Sequence, residues 1–375
     1  MSKMQMVDLL GQYNKIKNEV DAAILDVVQS SMYINGPEVK SFQDEMEQYL
    51  DVKHVVPCAN GTDALQIAMM ALQLQPGDEV IVPSFTFVAT AEVIALLHLK
   101  PVMVDVDLHT FNMLPEHVEQ AITPKTKAIV PVHLFGQSAD MGPIMELAAK
   151  HNLYVIEDNA QAIGSDYTFA DGRTQKTGGI GHVSGTSFFP SKNLGCYGDG
   201  GAVMCQDDEL AARLRLVANH GMSRRYYHDE IGINSRLDSI QAAILRIKLR
   251  KLDEYNAARR AAADRYDAAF ADVDQLVAPK RSAFSSHVFH QYTLRVTDGR
   301  RDALQAHLME HGFPAMIYYP VPMYKQEAFK PFWDGVELPV TEQLSLEVIS
   351  LPMHSELTAE NQAELIDTIR KFFGK

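Results

Sequence analysis

The sequence predicts an α/β protein, and three observations carry that prediction. From residue 53 onward, short β-rich runs alternate with helical patterns. The runs are near-continuously apolar, as strands of a parallel sheet covered on both faces are. Near residue 238 the rhythm gives way to a long helical pattern, and a mixture of strands and helices follows. The expectation is a large α/β domain over residues 1–245, N-terminal helices included, with a mainly parallel sheet of about seven strands. A smaller α+β domain is expected over residues 246–375.

The elements can be justified in order. Residues 13–31 place Val20, Ala23, Ile24, Val27 and Val28 at helical spacing. Gly36-Pro37 opens a second helix, because proline suits a first helical turn; Val39, Phe42, Met46 and Leu50 share its apolar face. The strand runs are HVVPCA (54–59), DEVIVPS (78–84), PVMVDVD (101–107), KAIVPVHLFG (127–136) and LYVIEDNA (153–160). Helical stretches at 61–74, 86–97, 115–121 and 140–151 separate them. Two more strands, within VSGTSFFP and GGAVMCQ, flank a glycine-dense turn. The segment from Asp238 to Phe270 reads as one long helix leading into the smaller domain. There HQYTLRV (290–296) reads as a strand, and 301–311 and 358–373 read as helices.

Composition narrows the function. The net charge of −14 repels polyanions, so nucleic acid is not an expected partner. No apolar run reaches the roughly 18 residues of a membrane helix, and the N-terminal segment lacks a signal peptide's apolar stretch. Cys58, Cys196 and Cys205 form no paired framework, which suggests reduced thiols. The expected location is the cytoplasm, with no membrane partner.

The candidate chemistry lies in three places. Lys192 sits in a hinge between the apolar SFFP and the glycines Gly195, Gly198, Gly200 and Gly201, with no acidic neighbour in sequence. Asp158 ends the apolar strand LYVIED, at the carboxyl edge where open α/β sheets bind ligands. NGTDAL (60–65) follows a strand and opens a helix, and such a junction offers backbone donors to an anion. Taken singly, each has a plain structural alternative: a solvated lysine, a structural carboxylate and an N-cap by Asn60 or Thr62. Pyridoxal phosphate uses all three at once: phosphate on the helix start, ring nitrogen on the carboxylate, aldehyde on the lysine amine. Competing motifs are weaker. GGIGHVSG precedes a strand instead of following one. No Walker loop and no GxSxG elbow appear. His287 and His290 lack the further ligands of a metal set, so no metal is expected and a structural role is assigned to both.

The motifs ANGTDAL, PSFTFVAT, VIEDNAQAIG, TSFFPSKNLGCYGDGGA, NSRLDSIQAAIL and IYYPVP, in this order, resemble the DegT/DnrJ/EryC1/StrS sugar aminotransferases. That resemblance covers nearly the whole chain and implies the aspartate-aminotransferase-like fold, fold type I of the pyridoxal-phosphate enzymes. It implies Lys192 as the Schiff-base lysine and Asp158 as partner of the pyridine nitrogen. Gln161 falls near the ring hydroxyl, Phe87 on the ring face, and Gly61, Thr62 and Ser187 on the phosphate. Asn234 matches a residue that reaches the phosphate from a neighbouring subunit, which implies a homodimer with shared sites. Tyr318 and Tyr319 match a substrate-side loop. Arg236 either meets a sugar carboxylate or pairs with Asp238. The segment Arg224 to His228 either grips a pyrophosphate or is an exposed charged loop. Family members with histidine in place of the lysine act as dehydratases; Lys192 favours transamination.

The wording of the chain is most similar to enzymes that aminate UDP-2-acetamido-2-deoxy-3-oxo-glucuronate for bacterial surface polysaccharide such as O-antigen, with L-glutamate as donor. A dTDP- or UDP-linked 3-keto or 4-keto deoxysugar is the alternative substrate. A non-catalytic, cofactor-binding regulatory protein is the alternative class.

Overall fold

The computed structural model describes residues 4–375. Two helices lead, α1 (Leu9–Ser30) and α2 (Pro37–Leu50). The alternating part follows: β1 (His54–Cys58), α3 (Gly61–Ala71), β2 (Glu79–Pro83), α4 (Ala89–Leu96), β3 (Lys100–Val104), α5 (Pro115–Ala121), β4 (Thr126–Ile129), α6 (Met141–His151) and β5 (Tyr154–Asp158). A small hairpin, β6 (Asp166–Thr168) and β7 (Thr174–Lys176), precedes β8 (Val183–Ser187), β9 (Gly201–Cys205) and α7 (Asp208–Ala218). A second hairpin, β10 (Met222–Arg224) and β11 (Tyr227–His228), leads to α8 (Ser239–Leu249) and α9 (Leu252–Phe270). The C-terminal part holds β12 (Leu276–Val277), β13 (Tyr292–Val296), α10 (Arg301–Glu310), α11 (Pro339–Glu347), β14 (Val348–Leu351) and α12 (Ala359–Phe372).

The main sheet has seven strands in the order β1-β9-β8-β5-β4-β2-β3. The β3, β2, β4, β5 and β8 neighbours are parallel, as expected. β9 runs antiparallel to both β8 and β1. Parallel neighbours need a crossover of a dozen or more residues, usually helical. Between β8 and β9 no helix intervenes, and the chain turns back antiparallel. That turn carries Lys192 at the carboxyl end of β8, level with Asp158 at the carboxyl end of β5.

Both faces of the sheet are covered, and the strand runs show how. Val80, Val82 and Ile156 point into a core shared with α3, α4 and α7. Ile81 and Val155, one residue out of phase, point into a core shared with α5 and α6. Side chains alternate across a strand, so a strand buried on both sides must be apolar at every position. Each such Val or Ile contributes about 1.5–3 kcal/mol by leaving water. α2 buries Phe42, Met46 and Leu50 against α8 and the β1–β9 end of the sheet.

The segment 238–270 is two helices, not one. Lys251 departs from helical geometry with φ −110° and ψ 1°, and α9 starts afresh at Leu252. The apolar spacing survives the break because Leu245, Leu249 and Leu252 enter the same core. Further along α9, Ala262, Ala263, Tyr266 and Phe270 enter the C-terminal core with β13, β14, α10 and α12. α9 thus has its first residue, Leu252, in the core with α2 and α8 and its later residues in the C-terminal core. No helix among the described residues is long and apolar enough to cross a membrane.

Candidate active site

The site is built where three strand ends meet a helix start. Asn60 closes β1's connection to α3, and its Oδ1 accepts from the Asp63 N–H at 2.8 Å. Asn60 is thus the cap, and the α3 start faces the end of β8. The approach there is tight. A Cβ on Gly61 would lie 2.6 Å from the Ser187 Cβ, and one on Gly201 would clash with the Asn60 carbonyl. Glycine is required at both places by closeness of approach.

Asp158 is nearly buried, 6% exposed, and both its oxygens are engaged. Oδ2 accepts from the Thr90 hydroxyl at 2.8 Å, and Oδ1 from the Ala160 N–H at 3.1 Å. Two donors fix the carboxylate's orientation. Behind it, the buried Glu157 accepts from His133 Nε2 and from the N–H groups of Gly178, Ile180 and Gly181, at 2.6 to 2.8 Å. Burial opposes the Glu157 charge, but the His133 bond and these donors outweigh it and hold its pKa below the ordinary carboxylate value.

Lys192 is half-buried on the turn after β8, its N–H donating to the Phe189 carbonyl at 2.8 Å. Burial pulls its ammonium down to about 8, and the attraction of Asp158 offsets only part of that fall. Gln161 accepts from the Phe135 N–H at 2.7 Å and donates to the Tyr319 hydroxyl at 3.3 Å. Tyr319 packs edge-on to Phe85, with Phe87 6.5 Å away. Phe87 is 54% exposed, an aromatic face left open to the cavity.

These groups line one cavity of about 950 Å³. Gly61, Thr62, Phe87, Asp158, Gln161, Ser187, Lys192, Tyr318 and Tyr319 all belong to its wall. Asn234, Arg236 and His228 do not. Asn234 is exposed beside its bridge to Asn219, and Arg236 is half-buried nearby. His228 lies on the exposed β10–β11 hairpin, its Nδ1 2.9 Å from the His220 carbonyl. In the same hairpin the Arg224 guanidinium stacks 3.6 Å over the Tyr227 ring. Asp238 is occupied as the α8 cap, accepting from the Gln241 N–H at 2.9 Å.

Sequence reasoning missed two wall residues and Thr90, which stands behind the wall as donor to Asp158. Thr90 lay inside the PSFTFVAT motif without a role. Asp199 lay among the glycines of the turn and lines the cavity. His290, read from its spacing as structural, also lines it; only the packing of β13's approach against the Lys192 turn brings it there.

A cradle at a helix start, an open aromatic face, a fixed carboxylate and a lysine of lowered basicity fit pyridoxal phosphate. The class is therefore a pyridoxal-phosphate enzyme of the aminotransferase fold, and the comparisons agree. The model of the DegT/DnrJ/EryC1/StrS aminotransferase family matches residues 14–370, and the chain belongs to that family. It is similar to the UDP-2-acetamido-2-deoxy-3-oxo-D-glucuronate aminotransferase of Pseudomonas aeruginosa, 46% identical over 94% of this chain and 96% of that one. Among solved structures it is similar to DesV of S. venezuelae in complex with a ketimine intermediate, with a TM-score of 0.95, 39% identity and all of both chains covered. It is also similar to NtdA of Bacillus subtilis with bound cofactor PMP, with a TM-score of 0.92, 29% identity, all of this chain and 86% of that one. The chain is a pyridoxal-phosphate-dependent sugar aminotransferase.

Proposed function

We propose that the chain transfers an amino group from L-glutamate to C3 of UDP-2-acetamido-2-deoxy-3-oxo-glucuronate, for surface polysaccharide synthesis. The reading is carried by one observation: a lysine of depressed basicity and a doubly anchored carboxylate share the wall of one cavity. Bound pyridoxal phosphate supplies an aldehyde for the lysine and a ring that accepts the electron pair of a deprotonated carbon. The start of α3 with Gly61, Thr62 and the Ser187 hydroxyl would bind the phosphate. Asp158, held in place by the Thr90 hydroxyl and the Ala160 N–H, would face the ring nitrogen and hold a proton there. Phe87 would cover the ring face, and Gln161 would stand by the ring hydroxyl. Lys192, with a useful fraction of free amine at neutral pH, carries a proton off and onto the reacting carbon.

The substrate's charges point to a second copy of the chain. Among the described residues lining the cavity, the carboxylates Asp63, Asp158 and Asp199 face the single ammonium of Lys192. A nucleotide's pyrophosphate and a uronate carboxylate need cations or donors. In a homodimer with shared sites, Asn234 reaches the cofactor phosphate of the neighbouring site. Arg236 meets the sugar carboxylate there, and the hairpin with Arg224 and His228 meets the pyrophosphate. Tyr318 and Tyr319 close over the sugar from the same chain as Lys192. Three free, buried thiols accord with a reducing cytoplasmic setting.

The test is direct. Borohydride reduction of cofactor-loaded protein, followed by peptide mass mapping, should tag Lys192. The visible band should bleach on adding L-glutamate and return on adding the 3-oxo uronate. Return with a 4-keto deoxysugar but not with the uronate would refute the substrate assignment, and an untagged Lys192 would refute the site.

A further inference from the structure

The cavity wall carries a buried ring with no part in the reaction as described, His290, 5% exposed. Its Nδ1 lies 3.3 Å from Oδ1 of Asn193, the residue next to Lys192. The orientation of the Asn193 amide is settled by its other partners. Its Nδ2 donates to the Val288 carbonyl at 3.0 Å and to Asn256 Oδ1 at 2.7 Å. A backbone carbonyl only accepts, so the amide nitrogen must be on that side. Asn256 is held the same way round, since its own Nδ2 donates to the Ile163 carbonyl at 3.2 Å. Asn193 therefore presents an oxygen to His290, and the imidazole must carry its proton on Nδ1. Nε2 is left with a lone pair, the one remaining polar atom of a ring that borders the cavity.

The ring stays neutral. Burial first, and then the charges of Lys192 and Arg259, push its pKa well below the ordinary histidine value. Arg259 is fixed nearby, donating to the His290 carbonyl at 3.2 Å and to those of Phe289 and Met353 at 3.1 and 3.0 Å. A ring in this field accepts a hydrogen bond without taking the proton.

We propose that His290 is a positioning residue: held as the Nδ1–H tautomer by Asn193, it offers Nε2 as a neutral acceptor to the Lys192 amine. The inference rests on the assignment of Lys192 as the proton carrier. One N–H of the freed lysine is then directed at His290 while Asp158 attracts from the ring-nitrogen side. The amine is held at a fixed angle to the reacting carbon in both half-reactions. Because the imidazole does not ionise at working pH, the proton stays on Lys192 until it returns to carbon.

Two variants separate the ring's two polar positions. In His290→Asn the amide reaches toward Asn193 but leaves nothing at the Nε2 position; in His290→Gln the longer side chain restores an acceptor there. In holoenzyme, His290→Asn should slow the bleaching of the visible band by glutamate by about tenfold to a hundredfold, with little change in the glutamate concentration for half-maximal rate. His290→Gln should recover to within about threefold of wild type, on the scale of one retained hydrogen bond. A readout without turnover is the nitrogen spectrum of histidine-¹⁵N-labelled protein, with the His290 signals identified by their loss in His290→Gln. Nδ1 should be protonated and Nε2 not. A protonated Nε2, or equal rates in the two variants, would overturn the proposal. If wild-type Lys192 is not tagged by borohydride, the underlying assignment falls and this inference with it; if it is tagged and the tautomer is wrong, only this inference falls. Should His290→Asn fail to fold, the tautomer measurement on wild type still decides.

Discussion

A lysine whose ammonium is pulled down to about 8 makes the folded protein less stable, and Lys192→Met should show by how much. The drop from the ordinary 10.5 corresponds to about 3 kcal/mol, already net of the Asp158 attraction. Lys192 is only half-buried, and water in the cavity screens it, so the expected gain in the cofactor-free protein is on the order of 2 kcal/mol at pH 7. The sign follows from proton counting. Between about 8 and 10.5 the unfolded chain holds this proton and the folded chain has released it, so folding grows more favourable as pH rises through that window. Below it the full penalty applies; above it the penalty is gone. Urea unfolding of cofactor-free wild type and Lys192→Met, at matched protein concentration, should give a gap that is constant between about pH 6 and 7.5 and closes toward pH 10.5. A gap that persists at high pH would place the gain in packing. No gap at pH 7 would mean the ammonium is not desolvated, and the argument for a ready supply of free amine would fail.

Other outcomes follow from the same geometry. Asp158→Asn should still be tagged at Lys192 by borohydride yet lose about a hundredfold or more in turnover, since the ring-nitrogen proton has no anion to hold it. Gly61→Ala puts a Cβ 2.6 Å from that of Ser187 and should weaken cofactor binding about tenfold or more, measured by titrating cofactor into the stripped protein. Asp105 accepts from the Val340 N–H and the Thr341 N–H, both at 2.8 Å, and from the Thr341 hydroxyl at 2.7 Å. Asp105→Ala should therefore cost about 2–4 kcal/mol in urea unfolding.

The sheet and its helices were largely legible because their cause is local. Val80, Ile81 and Val82 are apolar in succession since each face of the sheet has its own core. Asn60, Pro37 and the glycines of the Lys192 turn also speak within a few residues. What stayed hidden depends on distant partners. The antiparallel turn-back of β9 follows from the missing crossover, a topological fact with no residue of its own. The helix break at Lys251 is masked by leucines that keep their spacing through it. Asp105 reads as an ordinary residue near a strand end until α11, more than 200 positions later, lays its first N–H groups on it. His290 is noticeable for its spacing from His287 and reads as structural, since its place in the site comes from Asn193, Val288 and Asn256, all distant in sequence or fixed by contacts that spacing does not show.

The excess of acid over base around the Lys192 cavity has a consequence for mixed assemblies. On the shared-site reading, each site combines the lysine of one chain with the arginine of the other. Blending two inactive preparations, one Lys192→Ala and the other Arg236→Ala, would then create pairs in which one site has lost both groups and its twin has kept both. Activity would reappear from two dead parents once subunits exchange, at up to half the intact level in each mixed pair. Such complementation is denied to any enzyme whose site is wholly its own.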